Sequence, residues 1–425
     1  MYQVTRLENG LTVATAEMPH MASVSVGIWV GVGGRCEEEA VSGISHFIEH
    51  LLFKGTRRRS AREISQAVEG IGGYLNAYTS EEHTCFYARA RHDRFDDLLD
   101  VLADMFLHST FDPAEITKER EVIKEELAMY LDQPQQYVQE LLNATLWPGQ
   151  PLGRSITGTE KTLDAISRRR LLDFQRKNYN APATLIAAAG RLTHRQAVQA
   201  ARRYAGEFHG GARCGFPPAT AAQTRPAVRL CRKKTEQTQI AFGVRGCSRH
   251  HRSRFALRVL NAVLGENMSS RLFQTVREDR GLAYSIYSAN SYFDDTGDLV
   301  ISAGLDLANL EKTLGIILRE LKRLREEPVP AAELRRARDY LVGQLDLSLE
   351  STENQMMWVG EQWLGYGKII RPESVKQRWN EVGTAEVRAA AREFIRPDQF
   401  NLALVSPLKS ARRLEKKLAA AAGTF

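Results

Sequence analysis

One short stretch constrains this chain more than any other: Ser45-His46-Phe47-Ile48-Glu49-His50-Leu51-Leu52-Phe53-Lys54-Gly55-Thr56. It places two imidazoles and a carboxylate on one predicted helix. His46 and His50 are four residues apart, so their side chains stack on one helical face and can point two nitrogens at a single ion. Glu49 lies one turn from His46 and about 100° round from His50, bordering the metal position without having to ligate it. A carboxylate there can take a proton from metal-bound water. The plain alternative is a helix that carries these residues by coincidence.

The order His-x-x-Glu-His is the inverted form of a zinc-hydrolase motif, in which the metal makes water acidic enough to attack a carbonyl near neutral pH. A catalytic zinc usually has three protein ligands and one position left for water. Candidates for the third ligand lie downstream. Asp112-Pro113-Ala114-Glu115 reads as an N-cap, a first-turn proline and a capping-box acid, and predicts a helix running to about Leu131. On it, Ile116, Glu119, Ile123, Glu126 and Tyr130 share one face, so two carboxylates sit on an apolar stripe. Glu115, Glu121 and Glu125 point elsewhere. Acids in such a place are costly unless they meet a metal or pair with cations such as arginine.

With these residues in view, the chain resembles the metallopeptidase family that includes pitrilysin, insulysin and the mitochondrial processing peptidase. His46, Glu49 and His50 fit the family's inverted motif, and Glu119-Arg120-Glu121-Val122-Ile123-Lys124-Glu125-Glu126 fits the segment carrying its third ligand. The resemblance covers almost the whole chain. It implies one zinc per chain bound by His46, His50 and Glu126, with Glu49 as general base and Glu119 as an acidic neighbour counted with the catalytic set.

The chain has 425 residues, too many for one ordinary core and suited to two domains of about 200 residues each. Its formal charge of +7 is small for that length and spread over interleaved acids and bases, which argues against nucleic acid or a membrane as partner. The stretch from Met1 to Gly10 lacks the apolar core of a signal peptide, and no apolar run is long enough to span a bilayer, so a cytoplasmic protein is expected. Cys36, Cys85, Cys214, Cys231 and Cys247 are odd in number and show no close pairs, which predicts reduced thiols.

Along the chain, Leu11–Ala14 and Val24–Val30 read as strands leading to the motif helix, and Gly31-Val32-Gly33-Gly34 as a turn rather than a phosphate loop. Ala61–Glu69 reads as a helix closed by Gly70. Tyr74–Thr79 and Cys85–Ala90 read as strands joined by a hairpin turn. The resemblance implies that Asn76 and Ala77 lie on an edge strand that binds the substrate backbone as an added strand, a mode that holds a peptide extended while reading little of its sequence. It also implies that Phe53 lines a side-chain pocket, against simple core packing as the alternative. His83 could approach the metal, though a turn histidine more naturally bonds solvent or backbone.

A stretch from about Glu207 to Pro226, with Gly210-Gly211, Gly215 and Pro217-Pro218, has the composition of a linker. The expected organisation is therefore a catalytic domain over 1–209, a linker over 210–226 and a second domain over 227–425. The second half reads as a diverged copy of the first. Ala114–Glu121 aligns with Ala332–Asp339, so Glu119 becomes Ala337 and Glu126 becomes Gln344, and Thr184–Ala189 has a partner in Asn401–Val405. Val259–Leu264, where a second metal helix would fall, holds no histidine.

The predicted fold class is thus α+β, two homologous domains from an internal duplication, each a mixed or antiparallel sheet packed with helices. In the second half, Arg277-Glu278-Asp279-Arg280-Gly281-Leu282-Ala283-Tyr284 resembles the family segment whose arginine and tyrosine reach across to a facing zinc site. Arg277 would anchor the substrate and Tyr284 would donate a hydrogen bond to the oxyanion. The expected function is a zinc endopeptidase acting on peptides or unfolded segments in an enclosed chamber. A homodimer is the economical assembly, although heterodimers with an inactive relative also occur in the family. The competing function is a non-catalytic assembly subunit, since some family members are core proteins of respiratory complexes.

Overall fold

The computed structural model describes residues 2–423. Two compact units emerge, and neither is continuous in sequence. The first comprises Met1–Ala128, Arg154–Pro217 and Leu347–Ile370, and the second Met129–Gly153, Pro218–Asp346 and Arg371–Phe425. A division at a linker over 210–226 therefore leaves two segments, 129–153 and 347–370, packed with the other half.

The first unit is built on a six-stranded sheet of β1 (Tyr2–Arg6), β2 (Thr12–Glu17), β3 (Ser23–Val30), β4 (Tyr74–Thr79), β5 (Thr84–Arg91) and β6 (Thr184–Gly190) in the order β1-β2-β6-β3-β5-β4. Only β2 and β6 run parallel. Alternation sorts the side chains. Ile186 and Ala188 of β6, with Val24, Val26, Ile28 and Val30 of β3, face the main core, where the motif helix Ile44–Leu52 also buries Phe47, Ile48 and Leu51. Leu185, Ala187, Ala189 and Trp29 point the other way, against Met356 and Val359 of the helix Thr352–Tyr366. That helix lies so close that a Cβ on Gly360 would stand 2.2 Å from the Trp29 ring. With both faces covered, β3 and β6 read as nearly continuous apolar runs.

The second unit repeats this plan. Its strands are β7 (Ala227–Arg232), β8 (Thr238–Arg245), β9 (Ala283–Tyr292), β10 (Gly297–Leu305) and β11 (Asn401–Ser406), in the order β7-β11-β8-β10-β9. Here β7 and β11 form the parallel pair. The helix Pro134–Leu146 covers one sheet face through Val138, Leu142 and Leu146, which meet Ala241, Ala403 and Val405. The long helices correspond as well. Pro113–Asp132 buries Ile116, Glu119, Ile123 and Leu127, and Ala331–Ser348 buries Leu334, Ala337 and Leu341 in matching register. The fold is α+β, two similar domains with mixed sheets, as the duplication in the sequence predicts.

One expectation fails. Cys36 and Cys214 form a disulfide with their Cα atoms 6.1 Å apart, while Cys85, Cys231 and Cys247 are free. The partners are separated by 178 residues, so spacing along the chain gives no sign of them. The segment after Cys214 is held down too: the Arg35 guanidinium lies 3.8 Å from the centre of the Phe216 ring and donates to the Pro217 carbonyl at 3.4 Å. The low-complexity stretch is therefore fastened to the first unit up to Pro217.

Because the bridge closes a long loop, Cys214→Ser should lower the unfolding free energy by about 2–4 kcal/mol under non-reducing conditions. Guanidinium unfolding with and without dithiothreitol measures this. The variant should unfold at the midpoint of the reduced wild type, and equal midpoints for reduced and oxidised wild type would show that the bridge leaves stability unchanged.

Candidate metal centre

The motif helix Ile44–Leu52 starts at Gly43, whose φ of 95° is one that glycine adopts without strain, and ends one residue before Phe53. His46 is 9% exposed and lies on the same face as His50, their rings 4.6 Å apart. The long helix Pro113–Asp132 brings up Glu126. Its Oε2 is 3.8 Å from His46 Nε2 and 3.5 Å from His50 Nε2. Among the described residues, one metal-binding group of histidine, cysteine or carboxylate side chains is found, His46, His50 and Glu126, with ligand atoms all within 4.8 Å of one another.

The 3.5 Å separation matches zinc and the 3.8 Å one lies just outside its range. Donors bound at about 2.0–2.2 Å in a tetrahedron stand roughly 3.3–3.6 Å from each other. The two imidazoles differ in charge preference. Burial, and then the neighbouring His50, push His46 down to about 4, so near neutral pH it is an uncharged imidazole able to offer a lone pair. For His50 burial also works against the charged form, but the carboxylates of Glu126 and Glu119 outweigh it and hold its pKa above the ordinary value.

Glu119 supports this pair from behind. It is 1% exposed, with Oε2 3.2 Å from His50 Nδ1 and Oε1 2.8 Å from Lys54 Nζ. A histidine whose far nitrogen is fixed by a carboxylate keeps its ring orientation, which is the usual support for a metal-binding imidazole. Glu49 stands outside the three-residue group. Thr79, the last residue of β4, donates its hydroxyl to Glu49 Oε2 at 2.5 Å. Burial raises the Glu49 pKa, and the Thr79 hydrogen bond pulls against that rise.

Other expected site residues fall in varied places. Asn76 and Ala77 lie on β4, the edge strand of the first sheet, with Asn76 exposed. Phe53 packs on the main core, its ring 6.4 Å from Phe86. His83 is not in the metal-binding group. Its Nε2 is 3.2 Å from the Tyr78 hydroxyl, and its ring is 5.2 Å from Trp29. Arg277 and Tyr284 belong to the second unit. The Arg277 guanidinium is 4.8 Å from the Phe273 ring centre and 6.0 Å from that of Tyr284, which is 75% exposed on the edge strand β9.

Two members of the cluster escaped the sequence reading. Lys54 stands one turn beyond His50, a spacing that could have marked it as sharing the same helical face. Thr79 had no comparable signal, because its meeting with Glu49 depends on how β4 packs beside the motif helix.

Comparison with known proteins places the chain in a family. Residues 12–160 match the insulinase family, peptidase family M16, and residues 165–341 match the family's M16 inactive domain. A Bacillus subtilis (strain 168) protein named "Uncharacterized zinc protease YmxG" is 37% identical over 94% of this chain and 97% of its own length. A Streptomyces coelicolor protein also named an uncharacterized zinc protease is 38% identical over 98% of this chain and 92% of its own. Among solved structures, a protease from Helicobacter pylori superposes with a TM-score of 0.90 at 20% identity, covering 96% of this chain and 99% of that one. A peptidase M16 inactive domain from Pseudomonas fluorescens gives 0.88 at 19% identity, with the same coverage. By sequence over nearly its full length, and by fold, the chain belongs to peptidase family M16, the insulinase family.

Proposed function

We propose that the chain is a zinc endopeptidase that hydrolyses peptides or unfolded polypeptide segments, with one zinc held by His46, His50 and Glu126. The observation that carries this reading is the convergence of those three side chains within 4.8 Å, with Glu49 on the same helix and outside the ligand group. The names of the bacterial relatives as zinc proteases support it. When bound, zinc supplies a Lewis acid that acidifies water and polarises the scissile carbonyl.

The chain's own groups do the rest. Glu49 takes the proton of the attacking water and passes it to the departing amine. Its burial raises its basicity, and Thr79 fixes which oxygen faces the water. Glu119 holds the His50 ring in place, while Lys54 offsets the charge of Glu119. On the edge strand β4, Asn76 and Ala77 pair with an extended substrate backbone, and Phe53 borders a substrate side chain. Arg277 anchors the substrate, and Tyr284 donates to the oxyanion as the carbonyl becomes tetrahedral. Because one chain carries the metal residues and the Arg277/Tyr284 pair, two identical chains suffice to enclose a substrate chamber. No helix among the described residues is long and apolar enough to cross a membrane.

Two substitutions separate the parts of this reading. Glu49→Gln leaves all three ligands, so zinc content should stay at one per chain while turnover of an unstructured peptide falls about 10²–10⁴-fold. Near-normal turnover would remove Glu49 from the role of base. Glu125 and Glu126 are neighbours that face directions about 100° apart on the helix. Glu126→Gln should strip zinc on dialysis against a mild chelator, whereas Glu125→Gln should retain it, and the reverse pattern would assign the third ligand to Glu125.

A further inference from the structure

The start of the motif helix poses a problem that the helix itself does not solve. Its first residue is preceded by Gly43, which has no side chain to cap the exposed amides, and the first turn holds no acid. The Ser45 hydroxyl is buried and caps none of these amides. Residues Ile44 to Ile48 are all buried, so bulk water is not at hand for the amides that begin the helix. Glu37, upstream of the helix and 6% exposed, fills the gap. Its Oε2 accepts from the Gly43 amide at 2.8 Å and its Oε1 from the Ser45 amide at 2.9 Å.

Glu37 is itself firmly seated. Arg154 donates from Nη2 to the Glu37 carbonyl at 2.8 Å, the preceding Cys36 is bridged to Cys214, and Arg35 pairs with Glu82 at 2.8 Å. Burial pushes the Glu37 carboxyl up to about 7, while the two amides, the Ser45 hydroxyl and Arg154 pull it down, so a carboxylate in this place is held by those donors. The residue after Ser45 is His46. A rotation or slide of the helix start is passed directly to the nitrogens of His46 and His50, because the short helix turns as a unit.

We propose that Glu37 is a positioning residue of the metal centre: by gripping the Gly43 and Ser45 amides it fixes the direction of the motif helix, and with it the aim of His46, Glu49 and His50. This rests on the proposed zinc-peptidase reading. A glutamine has the same shape but offers one acceptor, and turns an amide group towards a second donor.

The test uses the full chain, with zinc affinity read by chelator competition and kcat and KM read on an unstructured peptide at saturating zinc. Glu37→Gln should weaken zinc binding about 10-fold, in the range seen when groups supporting metal ligands are altered. It should also lower kcat with KM changed less than twofold. The exposed neighbour variant Glu38→Gln should match wild type in every measure. If Glu37→Gln lowers thermal stability alone and keeps wild-type zinc affinity and kcat, Glu37 is a folding element and the proposal fails. If Glu37→Gln does not fold, Glu37→Asp, which keeps the charge but is one methylene too short to hold both amides, is judged by the same two results. Wild-type protein that neither binds zinc nor cleaves would instead overturn the peptidase reading itself, so the two failures are distinguishable.

Discussion

The carboxylate of Glu119 sits between His50 Nδ1 and Lys54 Nζ at 3.2 and 2.8 Å, almost wholly out of water, and the site is arranged about that contact. A buried acid is tolerated only where other groups satisfy it, and removing one partner of such a set is strongly destabilising. Here the partners come from the motif helix and its C-terminal end, while Glu119 comes from the long helix Pro113–Asp132. Their pairing ties the two elements in one register. Two turns further along the same helix face, Glu126 then arrives beside both histidines. Glu49, Glu119 and Glu126 together bring more negative charge than Lys54 offsets, which suits a pocket for a divalent cation.

The second unit shows what remains when this demand is lifted. Leaving aside β1, which adds an antiparallel edge to the first sheet, the same strand order, a parallel pair followed by antiparallel pairs, recurs in β7 to β11. Ala337 occupies the buried position of Glu119, with an apolar neighbour at Leu341 where the first unit has Ile123. An alanine needs no answering cation and no histidine. Apolar packing alone therefore preserves the scaffold, whereas the acidic version of the helix is stable only together with the groups that meet it. Both sheets are also sandwiched, since the helices Thr352–Tyr366 and Pro134–Leu146 each close a face that would otherwise expose small and apolar residues.

Much of this was legible in the sequence because it is local or periodic. The spacing of His46 and His50 fixes a shared helical face, and the stripe from Ile116 to Tyr130 marks Glu119 and Glu126 as inward-facing. Sliding one half against the other reveals the duplication. Other features depend on contacts between distant segments and leave no periodic trace. The Cys36–Cys214 bridge is one, and its absence from the sequence reading led to an expectation of reduced thiols. The packing of 129–153 and 347–370 with the opposite half is another, because no boundary signal in composition records which sheet a helix covers. Thr79 shares that character, meeting Glu49 only once β4 packs beside the motif helix. Glu37 instead lies close in sequence to the amides it holds, but on an irregular segment with no periodic pattern to mark it.

The central claim is that zinc sits among His46, His50 and Glu126, and anomalous diffraction at the zinc absorption edge from crystals of the zinc-loaded protein tests it most directly. The account predicts one peak per chain, about 2.0–2.1 Å from a nitrogen of each histidine and about 2.0–2.2 Å from a Glu126 oxygen. Glu49 should lie outside bonding distance. A peak coordinated by Glu125 or Glu49 in place of Glu126, or no peak at this cluster in protein that cleaves peptides, would contradict it.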